Sequence, residues 1–341
     1  MAGTSTLSTA SPSAPAAGSG SLAAHTLVGV RHGRVAATTL GAFVLLAAIG
    51  WVAPKWLTFL VTMAAANGLV SLGIQALMRG GVVPFGQGMV FAIGGYTAAL
   101  LYNKLGFTDA LGLALAGGAM AVLIAAPFAP LLSRYRGIFF AMLTLALSLS
   151  MVTYGLLMKL STFGGSDGFN MGRPTLLGQA LPDARAGYVL YLLTVAIACA
   201  MGLGMRIYFD STRGLITLAT RENELRVEYL GGSVRQAMSI NFILAAFCGG
   251  LGGALAVMAL GHIEPNFSFW TTSGEFVFVA ILAGAQSVAA IFVASTVLEV
   301  VRSFSSAYFP NTWQLVLGLF LLFVIRFLPR GIGSLWMKKG R

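Results

Sequence analysis

The feature that most limits the fold of this chain is a series of long apolar runs that carry almost no charge. Charged residues make up 9% of the 341 residues and hydrophobic residues 57%, whereas a soluble domain has about 25% charged residues. Several runs approach the roughly 20 residues that a helix needs to cross about 30 Å of hydrocarbon. Since helices satisfy their own backbone hydrogen bonds inside a membrane, we expect an all-α polytopic membrane protein.

Nine runs can be assigned as membrane spans. They are residues 35–53, 57–78, 85–102, 110–132, 138–160, 188–208, 237–260, 276–301 and 313–327. The eighth is longer than one span and contains the weakly helical stretch 283–287, so we expect a broken or re-entrant segment there and ten crossings. The alternative is one long tilted helix and nine crossings. The 43 glycines are typical of closely packed membrane helices.

The basic residues indicate the orientation. With the N-terminus inside, fifteen of the 21 Lys and Arg residues lie on the cytoplasmic side, as the positive-inside rule requires. An even number of crossings then places the C-terminus inside as well. The net charge of +11 follows from this bias and does not indicate nucleic-acid binding, because no basic patch is interleaved with aromatic residues.

Three regions are predicted on this basis. Residues 1–34 begin with a stretch rich in Ser, Thr, Ala, Gly and Pro and are expected to form a disordered cytoplasmic tail. Residues 35–336 form the membrane domain, and residues 337–341 form a short basic cytoplasmic tail. The two cysteines, Cys199 and Cys248, lie inside apolar runs and are predicted to be small buried residues.

One polar loop, residues 210–235, interrupts the apolar pattern on the cytoplasmic side. Its acidic residues come early in a predicted helix of about ten residues, which suits the helix dipole. Leu218, Leu225 and Tyr229 form a narrow apolar stripe, and Gly231 with Gly232 suits a helix stop. The helix either anchors the loop at the membrane surface or is held by a cytoplasmic partner; these residues alone leave both interpretations open.

Five segments resemble, in order, the permeases of branched-chain amino acid ABC transporters. They read GQGMVFAIGGYTAAL at residues 86–100, RGIFFAMLTL at 136–145, GGSDG at 164–168, TRENELRVEYLGG at 220–232 and AAFCGGLGGAL at 245–255. The resemblance covers residues 55–336. Two departures stand out: residues 283–290 carry fewer glycines and no proline, and Pro84 replaces the usual serine.

The resemblance implies the membrane subunit of an ATP-driven importer in the bacterial plasma membrane. Such a permease pairs with a second homologous permease, two cytoplasmic ABC ATPases and an extracytoplasmic solute-binding protein. It binds no cofactor, because ATP and Mg²⁺ belong to the ATPases, and it has no catalytic residue or metal site. A phosphate-binding loop requires a lysine directly after a glycine, and no lysine in this sequence follows a glycine.

The substrate is expected to be a branched-chain amino acid or a related small polar solute. The departures at residues 283–290 and Pro84 leave open urea, short amides or other amino acids, which relatives in the same family carry. An ion-coupled secondary transporter is the alternative class; it would place carboxylates at the membrane midplane, where the sequence shows few.

The resemblance also implies roles for particular residues. The coupling helix that contacts an ATPase would use Arg221, Glu222, Glu224, Arg226 and Gly231. The binding protein would meet Gly164, Gly165 and Asp167.

Polar residues inside spans are candidates to line the pathway, since they are costly in lipid. They are Asn67, Gln75, Gln87, Thr144, Ser148, Asn241 and Gln286. The alternative for each is a hydrogen bond between helices, which contributes about 0.6 kcal/mol on average.

Overall fold

The computed structural model describes residues 19–149, 164–176, 186–328 and 331–334. This part of the chain is almost entirely helical. Its helices are α1 (Ser19–Val52), α2 (Lys55–Arg79), α3 (Gln87–Leu105), α4 (Ala110–Ala125), α5 (Ala129–Leu132), α6 (Gly137–Leu147), α7 (Ala186–Asp210), α8 (Thr212–Glu222), α9 (Glu224–Tyr229), α10 (Val234–Leu260), α11 (Trp270–Ala283), α12 (Val288–Tyr308) and α13 (Trp313–Phe327). Two short strands, β1 (Phe169–Asn170) and β2 (His262–Ile263), pair antiparallel.

The helices confirm the all-α polytopic fold class. In the described residues, α1, α2, α7, α10 and α12 are long and apolar enough to cross a membrane, and α4, α6, α11 and α13 are shorter apolar helices. Each predicted span overlaps at least one apolar helix; the span 85–102 corresponds to α3, and the span 276–301 to α11 and α12. The second part of the span 138–160 lies outside the described residues. The number of crossings stays a prediction.

Helix α1 starts earlier than expected. It begins at Ser19, inside the segment 1–34 that we expected to be disordered. Once a span is helical, adding residues to its end avoids the cost of nucleation, and Leu22, Leu27 and Val28 make this stretch more apolar than the residues before it. Residues 1–18 and the basic tail 337–341 lie outside the described residues.

The centre of the fold is α10, which packs against α2, α3 and α4 and is buried along most of its length. Glycines allow the close crossings. A Cβ added to Gly73 of α2 would lie 2.7 Å from the Cα of Ala245, and one added to Gly94 of α3 would collide with the carbonyl of Gly250. Small residues at crossings let membrane helices approach this closely.

The predicted break near residues 283–287 is confirmed as the turn of a helical hairpin. Helix α11 ends at Ala283, Gly284 has φ 81°, and α12 begins at Val288. The two helices run antiparallel, since Glu275 of α11 forms an ion pair with Arg302 of α12. Gly284 suits the turn because its positive φ is costly for any side chain with a Cβ.

The bundle has two ends. At the end that carries Lys55, the strand pair β1–β2 joins the segment 164–176 to the loop after α10, with Phe169 opposite Ile263. At the end that carries Arg79, α8 and α9 form the polar loop, and Arg221 packs over Gly81. We refer to these as the Lys55 end and the Arg79 end.

Candidate functional site

A row of polar side chains runs along one face of α2, which we call the α2 polar stripe: Asn67, Ser71, Gln75 and Arg79. Residues four apart lie on the same face of a helix. The stripe faces the α11–α12 hairpin, where the Ser71 Oγ donates to the carbonyl of Phe276 at 3.1 Å. Asn67, Ser71 and Gln75 are buried, so these groups depend on protein partners and not on water.

Gln75 holds the turn of the hairpin. Its Nε2 donates to the carbonyls of Gly284 at 2.9 Å and Ser287 at 3.0 Å. One helical turn further on, the Arg79 guanidinium lies 4.3 Å from the centre of the Phe209 ring, a cation–π contact, with its Nη1 3.5 Å from the carbonyl of Ala285. A break in a membrane helix frees backbone groups that neighbouring helices must satisfy, and Gln75 meets this need.

Charged residues join the other end of the stripe to the hairpin. Asn67 Nδ2 donates to Glu299 Oε2 at 3.1 Å, and Glu275 pairs with Arg302 at 3.1 Å. The Arg302 guanidinium lies 5.6 Å from the centre of the Trp313 ring. Charges within spans are costly unless they are paired, and here an amide and a guanidinium stabilise two carboxylates.

Sequence reasoning missed most of this cluster. Asn67 and Gln75 were selected as single polar residues, but Ser71 and Arg79 were not linked to them. The signal that could have found the stripe is the repeated spacing of four, which is the helical period that brings polar groups to one face. No comparable signal connects Glu275, Glu299 and Arg302 to α2, because contacts between distant segments depend on the fold.

Two helices begin inside the bundle and meet there. Gln87, the first residue of α3, lies beside Gly249 near the middle of α10. The backbone N–H of Gly88 donates to the Oγ of Ser273 in the first turn of α11 at 2.8 Å. Helix N-termini carry partial positive charge, so this junction is a polar point inside the apolar bundle.

A small cavity lies beside this junction. Gln87 and Thr144 line it together with Phe242, and its volume of about 10 Å³ is near the room that one water molecule needs, roughly 10–15 Å³. The Thr144 Oγ1 accepts a hydrogen bond from the backbone N–H of Phe85 at 3.2 Å, while the Gln87 Oε1 is buried and has no partner among the described residues. In this conformation no solute-sized opening exists between these two side chains.

The other candidate pathway residues lie apart. The Ser148 Oγ donates to the carbonyl of Ser268 at 2.8 Å. Asn241 accepts from the Tyr208 hydroxyl at 2.7 Å and donates to the Thr217 Oγ1 at 2.9 Å, which ties α10 to α7 and α8. Gln286 is exposed at the hairpin turn. Of the seven candidates, Gln87 and Thr144 line the same cavity.

The polar loop contains two helices where a single one was expected. The helix is interrupted at Asn223, whose backbone is extended (φ −160°, ψ 103°), so α8 ends before this residue and α9 begins after it. The Asn223 Oδ1 accepts from the backbone N–H of Arg226 at 3.0 Å. Asparagine is a favoured N-cap, and this bond outcompetes continuation of the helix through residue 223.

Helix α9 stops at the two glycines, as the sequence predicted. Gly231 has φ 82°, its N–H bonds to the carbonyl of Glu228 at 2.9 Å, and the N–H of Gly232 bonds to the carbonyl of Val227 at 2.9 Å. This pair of bonds is the Schellman motif, in which a left-handed residue closes the helix.

The apolar side chains of α9 point away from the bundle. Leu225, Tyr229 and Leu230 expose 66%, 89% and 83% of their surface, whereas Val227 is buried. We call these three residues the α9 apolar face. The charged neighbours Arg221, Glu222 and Arg226 are also exposed.

Glu224 is held within the chain. Its Oε1 forms an ion pair with the Arg136 Nε at 2.6 Å, and the Arg136 Nη1 donates to the carbonyls of Ser133 at 2.8 Å and Tyr135 at 3.0 Å. This pair connects α9 to the turn before α6, so motion of α9 would be transmitted to α6.

At the Lys55 end, the glycine-rich segment makes a tight turn. Gly164 and Gly165 have φ 80° and 62°, a 3₁₀ turn covers Gly165–Asp167, and a Cβ at Gly168 would collide with the carbonyl of Ile263. Asp167 is exposed and interacts within the chain. The turn presents polar backbone at the bundle surface opposite to α9.

The chain matches known proteins over most of its length. Residues 56–325 match the family described as branched-chain amino acid transport system permease components. Similar proteins include the high-affinity branched-chain amino acid transport system permease protein LivM of Escherichia coli, 26% identical over 77% of this chain and 67% of that protein. The protein of the same name from Salmonella typhimurium is 26% identical over 80% of this chain and 69% of its own length.

No solved structure matches this chain. The family match begins one residue after the start of α2 and ends within α13, so it contains the α2 polar stripe, the hairpin and the polar loop, while α1 precedes it. With apolar helices of membrane length and a match that runs from α2 into α13, the chain belongs to the family of branched-chain amino acid transport system permease components, as a multi-pass membrane protein.

Proposed function

We propose that this chain is the permease subunit of an ATP-driven ABC importer in a bacterial inner membrane, with both termini in the cytoplasm. In this proposal a second homologous permease completes the pathway, and two cytoplasmic ABC ATPases bind ATP and Mg²⁺. A solute-binding protein delivers the solute at the Lys55 end, where Gly164, Gly165 and Asp167 are its candidate contacts.

The observation that carries the proposal is the α9 apolar face. Large exposed apolar side chains beside exposed charges are typical of a protein interface. Leu225, Tyr229 and Leu230 lie next to Arg221 and Glu222, and the loop they belong to is polar. A segment that only anchored the loop would bury this face in the membrane and hold its charges at the lipid headgroups, so ATPase association is the measurement that separates the two roles.

The experiment compares two permease variants in the complete transporter. Replacing Leu225, Tyr229 and Leu230 by Ser should reduce both co-purification of the ATPase and ATP-dependent uptake, while the permease still inserts in the membrane. Leu105→Ser is the matched control, because Leu105 is equally exposed but lies at the C-terminal end of α3. Unchanged ATPase association in the triple variant would remove this role from α9.

Glu222→Lys and Glu224→Lys separate two electrostatic contributions. Glu222 is an exposed candidate for direct contact with the ATPase, so its reversal should weaken association. Glu224 is paired with Arg136, so its reversal should also loosen the attachment of α9 to α6. If only Glu224→Lys lost association with the ATPase, Glu224 would act by holding α9 in place through Arg136 and not by contacting the ATPase.

For the substrate, we propose branched-chain amino acids, which the names of the similar proteins contain. Urea and short amides are the alternative, because the α11–α12 turn departs from the usual pattern of the family. Competition of radiolabelled leucine uptake by excess isoleucine, valine, urea or acetamide distinguishes them. Competition by the amides without competition by isoleucine would reassign the substrate.

The same proposal excludes transport by this chain alone. Liposomes containing only the permease should not accumulate solute under a proton or sodium gradient, because the energy would come from the ATPases. The mid-span carboxylate Glu299 makes this control necessary, since ion-coupled transporters place such groups near the midplane. Accumulation under an ion gradient would overturn the assignment to ATP-driven import.

A further inference from the structure

A large cavity lies at the Lys55 end, and the junction of α3 and α11 does not contribute to it. Its volume is about 580 Å³, within the range of about 300–1,000 Å³ that is typical of ligand sites. The described lining residues come from the end of α1, the start of α2, the first residue of α4, the segment 173–176, the start of α7 and the end of α10.

The position of α1 explains this space. Helix α1 packs mainly on α7, where the hydroxyls of Tyr188 and Tyr191 donate to the carbonyls of Ala47 and Leu46 at 3.0 and 2.7 Å. The rest of α1 is largely exposed, including Trp51 and Val52. A crevice therefore separates the end of α1 from α2, and α1 lies outside the part of the chain that matches the family.

The lining of the crevice combines apolar and basic side chains. Phe59, Leu190 and Leu193 are among its apolar members, and Lys55 and Arg173 are among its polar members. Lys55 is exposed, whereas Arg173 interacts within the chain, so Lys55 is the cation available to a ligand. Among the lining residues that the structure describes, none is acidic.

Two aromatic residues indicate how deep in the membrane the crevice lies. Trp51 and Tyr188 form an edge-to-face pair with ring centres 5.5 Å apart, and both line the cavity. Tryptophan and tyrosine are enriched where the hydrocarbon meets the lipid headgroups. We therefore expect Lys55 at headgroup level and the apolar lining residues at the level of the acyl chains.

From these features we propose that the crevice binds an anionic phospholipid, with its phosphate at Lys55 and an acyl chain between α1 and α2. A zwitterionic amino acid fits less well, because no described lining residue supplies a carboxylate for its ammonium group. An acyl chain in the crevice would gain dispersion contacts with the apolar lining residues.

The test measures lipid retained by the full-length protein. The protein is placed in nanodiscs with equal amounts of phosphatidylglycerol and phosphatidylcholine of the same acyl chains, transferred to detergent, and analysed by native mass spectrometry. Wild type should retain phosphatidylglycerol in preference to phosphatidylcholine. Lys55→Gln should reduce that retention about fivefold, the effect of one basic side chain near an anionic lipid surface.

Two further variants keep the test specific. Lys104→Gln is the matched control, because Lys104 is exposed in the last turn of α3 and does not line the crevice; it should retain the lipid as wild type does. Leu193→Trp fills the apolar wall and should reduce retention of both lipids. Equal retention of the two lipids by wild type, or equal losses in the Lys55 and Lys104 variants, would overturn the proposal.

Competitors distinguish a lipid from soluble ligands. Inorganic phosphate or leucine at millimolar concentration should not displace phosphatidylglycerol. Displacement by phosphate would make the site one for free anions, and displacement by leucine would make it a solute vestibule; either result contradicts the lipid assignment. The measurement needs no ATPase, so its failure is independent of the proposed transport function.

Discussion

At the scale of single residues, glycines at helix crossings are more constrained than glycines elsewhere in the helices. Gly94→Ala places a methyl group against the carbonyl of Gly250 at the crossing of α3 and α10, and overpacking of this kind costs about 1–3 kcal/mol. We expect a lower melting temperature in detergent, measured by fluorescence-detected size exclusion. Gly204→Ala is the control, because nothing lies within 4 Å of its added Cβ; an equal loss there would contradict the crossing argument.

Gln75 offers a second prediction at this scale. Gln75→Leu keeps the approximate size of the side chain but leaves the carbonyls of Gly284 and Ser287 without their donor. A fully buried acceptor left unsatisfied costs about 1–3 kcal/mol. These carbonyls belong to half-buried residues, so we expect a smaller fall in thermal stability and faster hydrogen exchange at residues 284–287. The control is Gln286→Leu at the same turn, where the side chain is exposed. Unchanged exchange in the Gln75 variant would show that Gln75 does not hold the turn.

At the scale of elements, the Arg136–Glu224 pair is the contact that positions α9. Arg136→Glu and Glu224→Arg should each increase proteolysis of the loop 223–231, because each places like charges side by side. The double variant should restore protection by re-forming the pair in reverse. Its rescue will be partial, since only arginine at position 136 donates to the two backbone carbonyls.

The control for that exchange is Glu222→Arg, because Glu222 is exposed and should not affect protection of the loop. If the double variant were as sensitive to protease as the single variants, the ion pair would not be what positions α9. Partly buried pairs contribute more than exposed ones, whose coupling is about 0.2–1 kcal/mol, so the difference between single and double variants should be measurable.

The elements show which parts of the fold could be predicted from the sequence. Helix positions were predictable because apolar runs of membrane length have few alternatives. The break at Asn223 was not, because its outcome depends on a local competition between a helix bond and an N-cap bond. The weak stretch 283–287 indicated a break, but the antiparallel pairing of α11 with α12 depends on contacts from Asn67 and Gln75, which lie more than 200 residues away.

At the scale of the whole molecule, the fold has polar groups of different kinds at its two ends. The Arg79 end carries α9 with its exposed apolar face, and the Lys55 end carries the glycine-rich turn and the lipid crevice. Between them, the α2 polar stripe and the junction of α3 and α11 bring buried polar groups deep into the bundle. A pathway between α2 and the hairpin would therefore require these contacts to exchange partners.

The orientation of these two ends is the last prediction, and it connects both proposals. In a background with Cys199→Ala and Cys248→Ala, Lys104→Cys should react with an impermeant maleimide in intact cells. Tyr229→Cys and Gly33→Cys should react only after the membrane is permeabilised. Arg341→Cys reports whether the number of crossings is even: labelling only after permeabilisation supports ten crossings, and labelling in intact cells supports nine. Labelling of Tyr229→Cys from outside would place α9 away from any cytoplasmic ATPase and the crevice at Lys55 in the inner leaflet, so the proposed coupling role would be lost, while the lipid site would remain.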